Sequence, residues 1–106
     1  MKYLNALNKI NGIGPQKMKM LLDFFGSPEN AWKSDFQNIV QSRIGESLAN
    51  KIVSERSKIN PDEEMEKLAK EKIRMIALSD PLYPPLLQEI PSAPSILYVK
   101  SDLEIG

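Results

Sequence analysis

Cysteine and histidine are both absent from the 106 residues. Without cysteine there is no disulfide framework and no thiolate chemistry, and without histidine the chain lacks the commonest general base and metal ligand. Hydrolytic triads and zinc sites built from those residues are therefore excluded. Net charge is also missing, since 14 basic and 14 acidic side chains balance. No apolar run approaches membrane-spanning length, and Asn5, Asn8 and Lys9 interrupt the N-terminus where a signal peptide would be continuously apolar. These absences suggest a soluble, cytoplasmic chain, and nothing in it supplies a nucleophile, a base, a phosphate loop after a strand or a cofactor motif. At 42% hydrophobic, it can bury one modest core or two small ones.

The zero balance conceals a split. Residues 1–60 hold nine basic and five acidic side chains, whereas residues 61–106 hold five basic and nine acidic. The front half is the one suited to polyanions.

Within that half the chain turns on Ile10-Asn11-Gly12-Ile13-Gly14-Pro15-Gln16-Lys17-Met18. Two glycines in three residues permit a tight reversal through positive φ, and Pro15 suits a first helical turn because its missing amide hydrogen would be unpaired there. Leu4, Leu7 and Ile10 give a short helix before the turn over residues 3–10. Met18, Leu21, Leu22 and Phe25 line one face of a helix after it, over residues 15–25, which Gly26 stops. Free amides at such a helix start can seat a phosphate, and Lys17 and Lys19 add charge. The same residues also read as a plain αα-turn.

Ser27-Pro28 starts a connector helix that turns Ala31 and Trp32 inward, and Trp32 reads as core instead of a base-stacking platform. Ser34 and Gln37 have capping-box spacing for a fourth helix through Phe36, Ile39 and Val40, ending near Ser42. The hairpin then recurs at an offset of 31: Ile13 matches Ile44, Gly14 matches Gly45, Met18 matches Ala49, and Leu21 and Leu22 match Ile52 and Val53. A duplicated unit that cannot close a core alone can do so as a pair.

Five helices arranged as two hairpins and a connector resemble the tandem helix-hairpin-helix domain, a SAM-like fold of DNA repair and recombination proteins, over residues 1–60. The resemblance implies phosphate contacts at Gly12, Ile13, Gly14, Lys17 and Lys19, and the basic front half adds Arg43, Lys51 and Arg56 to them. There are departures. Arg43 replaces the first glycine of the second hairpin, Glu46 places a carboxylate at its helix start, and Met18 is large where the family often has a small residue.

Beyond residue 60, Asn60-Pro61-Asp62-Glu63-Glu64 marks a helix start, with Met65, Leu68 and Ala69 inward. Its acidic run follows round a helix and is explained by the first-turn dipole, so it is no metal site. Residues 73–78 and 95–100 read as strands. Five of the eight prolines lie between them and fix the course of that segment, with one coil over residues 86–90. Tyr83 reads as packing under the proline turn and Tyr98 as a strand residue.

The run Asp80-Pro81-Leu82-Tyr83-Pro84-Pro85-Leu86-Leu87, then Ile90-Pro91 and Pro94-Ser95-Ile96-Leu97-Tyr98-Val99-Lys100, resembles the segment that joins the N-terminal domain to the Rossmann-like core in the DprA/Smf DNA-processing family of natural transformation. The hairpin followed by Phe24-Phe25-Gly26-Ser27-Pro28 agrees in order; Ser101 departs, where the family usually has glycine before the acid at Asp102. The resemblance implies a mainly α chain: a SAM-like domain over residues 1–60, then over 61–106 a helix, a Pro-rich connection and the first strands of a truncated Rossmann-like domain. It further implies an N-terminal part of a protein that binds and protects incoming single-stranded DNA and supports RecA or another recombination protein. Two readings of the front domain stay open: an accessory DNA-phosphate module, or a protein-interaction or positioning module.

Overall fold

The computed structural model describes residues 1–100. In order they form α1 (Lys2–Asn8), α2 (Pro15–Phe25), α3 (Pro28–Lys33), α4 (Phe36–Gln41), α5 (Glu46–Arg56), α6 (Pro61–Lys70), β1 (Ile73–Ala77), α7 (Pro85–Gln88) and β2 (Ile96–Lys100). The described residues are thus mainly helical, with one two-stranded antiparallel sheet in which Ile73 faces Lys100 and Ala77 faces Ile96. Ser101 and Asp102 lie outside the described residues.

Local chemistry sets the element boundaries. Proline opens α2, α3, α6 and α7, where its fixed φ is already helical. The Ser27 side chain accepts from the Asn30 amide, and that of Asn60 from the amides of Asp62 and Glu63. Gly26 ends α2 at φ 84, in the left-handed region a helix terminus favours. One cap differs from the sequence expectation: Asp35, not Ser34, caps α4, its carboxylate accepting from the Asn38 amide at 2.9 Å. Ser34 instead closes α3, donating its amide to the Ala31 carbonyl.

The offset of 31 reappears as matched burial. Ile13 and Ile44, Met18 and Ala49, and Leu21 and Ile52 are all buried in one cluster with Leu4, Leu7, Ile10, Trp32 and Ile39. α4 lies on α5, whereas α1 makes its main contacts with α6 and α3.

The core does not stop at residue 60. α6 packs along α1, and Ile96 joins the central cluster with Met75 and Ala77 against it. Tyr98 reaches α1, its hydroxyl donating to Asn5 Oδ1 at 2.6 Å and accepting from Asn8 Nδ2 at 3.1 Å. Asn5 is wholly buried, and its Nδ2 has no partner in the structure. Tyr83 is buried and donates its hydroxyl to the Pro94 carbonyl, which holds the proline segment in a closed loop. On α6, Ala69 is exposed instead of inward. Glu64 takes the inner position, paired with Lys9 of α1 at 3.2 Å and with Lys67 at 3.1 Å.

Candidate nucleic-acid interface

The two glycines of the first turn have different tasks. Gly12 stands at φ 102, a conformation side chains rarely adopt, and a Cβ there would lie 3.3 Å from Leu48 Cδ1. Gly14 is extended at φ −84 and ψ −174, with nothing within 4 Å of its would-be Cβ. Positive φ is therefore required at Gly12 alone; Gly14 is a helix N-cap without a side chain. The nearness of Leu48 also places the first turn beside the opening of α5, so the two turns are neighbours.

Capping chemistry separates the helix starts. α3, α4 and α6 have side-chain caps, whereas α2 and α5 open on glycine with none. In α2 the first helical bond runs from the Met18 amide to the Gly14 carbonyl at 2.9 Å. The amides of Gln16 and Lys17 precede it and have no side-chain cap, as expected of helix-terminal donors. No acidic residue lies in this first turn. α5 opens with the matching bond, Ala49 N–H to Gly45 O at 3.0 Å, but its N-cap Gly45 stands at φ 103 and the helix begins with Glu46. An anion at the α2 start is favoured by the partial positive charge there; at the α5 start Glu46 already occupies that role.

Gly12, Gly14, Pro15, Gln16 and Lys17 share a shallow depression with Ser92 of the proline segment. The Ile13 side chain is buried in the core beneath the turn. Lys17 is half-buried and beside the open amides. Lys19 is exposed and paired with Asp23 at 2.7 Å; an exposed pair of this kind is worth about 0–1 kcal/mol, so it yields readily to a phosphate. Arg43 is exposed on the second turn at φ 69, and it does not line this depression. Arg56 is half-buried, and its Nη1 donates to the carbonyls of Trp32 and Ser34. That contact closes the C-terminus of α3. Trp32 is buried as core, as expected. Ser92 was beyond sequence reasoning, since 75 residues separate it from Lys17.

A second, deeper feature adjoins the turn. Pro15 and Gln16 also line a groove of about 480 Å³ between α2 and the chain from the end of β1 to the start of β2. Its lining is largely apolar, with Leu4, Leu22, Ala77 and Ile90 contributing.

Among the described residues no group of three or more acidic side chains is placed to hold a metal, and no helix is long and apolar enough to cross a membrane. The shifted carboxyls lie away from the turn: Glu64 is held below its ordinary range by hydrogen bonding from Lys67, with Lys9 adding to it and burial opposing, and Glu29 by Lys33.

Against known proteins, the chain is similar to the protein named Smf from Synechocystis sp., at 33% identity over 105 residues. The match takes in 96% of this chain and 26% of that relative, so the chain spans about a quarter of the relative's length. No protein-family model matches the chain, and no solved structure matches it significantly.

Proposed function

We propose that this chain, which the match to Protein Smf ties to the DprA/Smf family, contributes a sequence-independent phosphate-binding module to a protein that processes DNA in natural transformation. The whole protein would bind and protect incoming single-stranded DNA in the cytoplasm and support RecA or another recombination protein. This chain would act as an accessory, non-catalytic part. On this reading α1 to α5 form a tandem helix-hairpin-helix of SAM-like type, and β1 and β2 are the first strands of a Rossmann-like domain. The outer face of that sheet, where Ile76 pairs with Leu97 and Arg74 with Val99, suits burial under further elements of such a domain.

The observation that carries the proposal is the uncapped α2 start, with open amides at Gln16 and Lys17, no acid in the first turn, and the Lys17 ammonium beside it. Backbone donors and a single cation read phosphate without reading base, which is what sequence-independent binding requires. Lys19 adds charge by leaving Asp23, while Arg43 offers a cation on the neighbouring hairpin.

The test is anisotropy of a labelled single-stranded oligonucleotide, titrated with the parent chain and with Lys17→Glu between about 50 and 200 mM salt. Loss of one phosphate contact flattens the slope of log K against log salt by about 0.7. An unchanged slope and affinity in Lys17→Glu would remove the α2 start from the account.

A second reading rests on different observations. Glu46 closes the α5 start to anions, and Leu82, Leu86 and Ile90 are exposed along the proline segment, as on a protein-contacting face. On that reading the module positions a partner or the rest of its own protein, and neither the parent nor Lys17→Glu binds DNA.

A further inference from the structure

The groove beside the turn shares Pro15 and Gln16 with the depression that holds Gly14 and Lys17, so an occupant of one is adjacent to the other. Its wall on α2 is one helical face, with Gln16, Lys19, Leu22 and Asp23 at i, i+3, i+6 and i+7. The opposite wall is the chain around Ala77, Leu78 and residues 88–95, and Leu4 of α1 contributes from below the surface.

Charge sets what can enter. Asp23 and Glu89 both line the groove; Asp23 is paired with Lys19 at 2.7 Å in the free chain and is bared when Lys19 turns to a phosphate, and Glu89 has no cation partner among the described residues. A second phosphate there would meet a carboxylate; a neutral, flat, largely apolar group would not. Polar groups stand at the edge: Gln16, Ser79, Ser95, and Gln88, whose Nε2 is held by the Leu78 carbonyl at 2.6 Å and whose Oε1 stays open as an acceptor. An apolar interior with a few hydrogen-bonding groups at its rim suits a planar heterocycle, and a volume of about 480 Å³ accommodates one with its sugar.

From these we infer that the groove receives an unpaired nucleobase adjoining the phosphate held at the α2 start. The inference rests on the phosphate reading given above and adds the place of one base of the strand, which can enter the groove only when it is unstacked and unpaired. Duplex DNA would use the turn alone. The base lies against Leu22, Ile90 and the prolines, and the rim groups meet its edge without demanding one base over another.

The experiment compares two labelled single strands with equal numbers of phosphates, one an oligothymidylate and one abasic throughout, each titrated with the 106-residue chain. The base-bearing strand is expected to bind roughly tenfold more tightly, as one base packed on protein provides, with the same salt slope. Ser79→Trp, at an exposed groove position, fills the cavity; it is expected to abolish that difference and leave abasic affinity unchanged, with circular dichroism confirming the fold. Equal binding of both strands by the parent chain would overturn the groove assignment, give the groove to an apolar side chain of a protein partner, and leave the phosphate seat standing. Failure of both strands to bind would overturn the phosphate reading and this inference together.

Discussion

Exchanging each turn glycine for alanine separates two roles that look alike in the sequence. At Gly12 the backbone stands at φ 102, and the new Cβ would lie 3.3 Å from Leu48 Cδ1. Holding a residue with a side chain in such a region costs about 1–3 kcal/mol. The stiffer unfolded chain returns about 0.4–1 kcal/mol of that, and the Leu48 methyl moves by a few tenths of an ångström at little further cost. Gly12→Ala is therefore expected to destabilise by about 1–2 kcal/mol. At Gly14, φ −84 and ψ −174 admit any residue and no atom lies within 4 Å. Its gain through the unfolded chain is offset by a slightly poorer N-cap, so the net change stays within about 0.5 kcal/mol. Urea unfolding followed by circular dichroism measures both. In a chain of this size each 1 kcal/mol moves the melting temperature by about 4–8 °C, so a thermal scan resolves the pair as well. Equal stability of the two variants, or a larger loss at Gly14, would refute the assignment of the left-handed position to Gly12.

Three further outcomes are expected. Arg56→Met removes the Nη1 donor to the carbonyls of Trp32 and Ser34 and should cost about 1.5–3 kcal/mol in a denaturant titration, with oligonucleotide affinity unchanged; a large loss of affinity in a folded variant would return Arg56 to the interface. Tyr98→Phe leaves Asn5 Oδ1 buried without its donor, which should cost about 1–3 kcal/mol and speed amide exchange across β2; unchanged exchange would show that the hydroxyl does not hold the sheet to α1. Acidification should weaken the α1–α6 contact: Glu64 is held below its ordinary 4.5 in the fold, so its stabilising contribution is complete above that value and disappears as pH falls through the lower folded one. Glu64→Gln should then flatten the stability profile below about pH 4.5 relative to the parent, and an identical acid limb would exclude that carboxylate.

Much of the helical layout was legible because it depends on neighbours in sequence. Ser27 and Asn60 cap, Pro15, Pro28 and Pro61 open, and Gly26 closes, each through contacts within a few residues. The offset of 31 foretold which positions share a core, from Ile13 and Ile44 to Leu21 and Ile52. The slip from Ser34 to Asp35 arose because two capping residues stand side by side, and the sequence does not say which becomes extended. Ala69 was misplaced for a tertiary reason: α6 turns Glu64 toward Lys9 of α1, and that ion pair rotates the alanine outward.

The candidate site was legible only in part. Gly12, Gly14 and Lys17 do meet at one depression, because they belong to one turn. Arg56 was assigned by charge alone, whereas its partners lie 22 and 24 residues away. The same limit hid Ser92, the Asn5–Tyr98 bond across 93 residues, and the groove, whose walls come from α2 and from the chain between the two strands. None has a local pattern to announce it.

The central claim is that the start of α2 seats a phosphate. Amide-resolved NMR of the 106-residue chain, titrated with an unlabelled single-stranded oligonucleotide at low salt, tests it at the atoms concerned. The account predicts that the amides of Gly14, Gln16 and Lys17 shift most, that those at the Glu46 start of α5 stay still, and that added salt reverses the shifts. Shifts centred on residues 82–90 or on α5, with the α2 start unmoved, would contradict it.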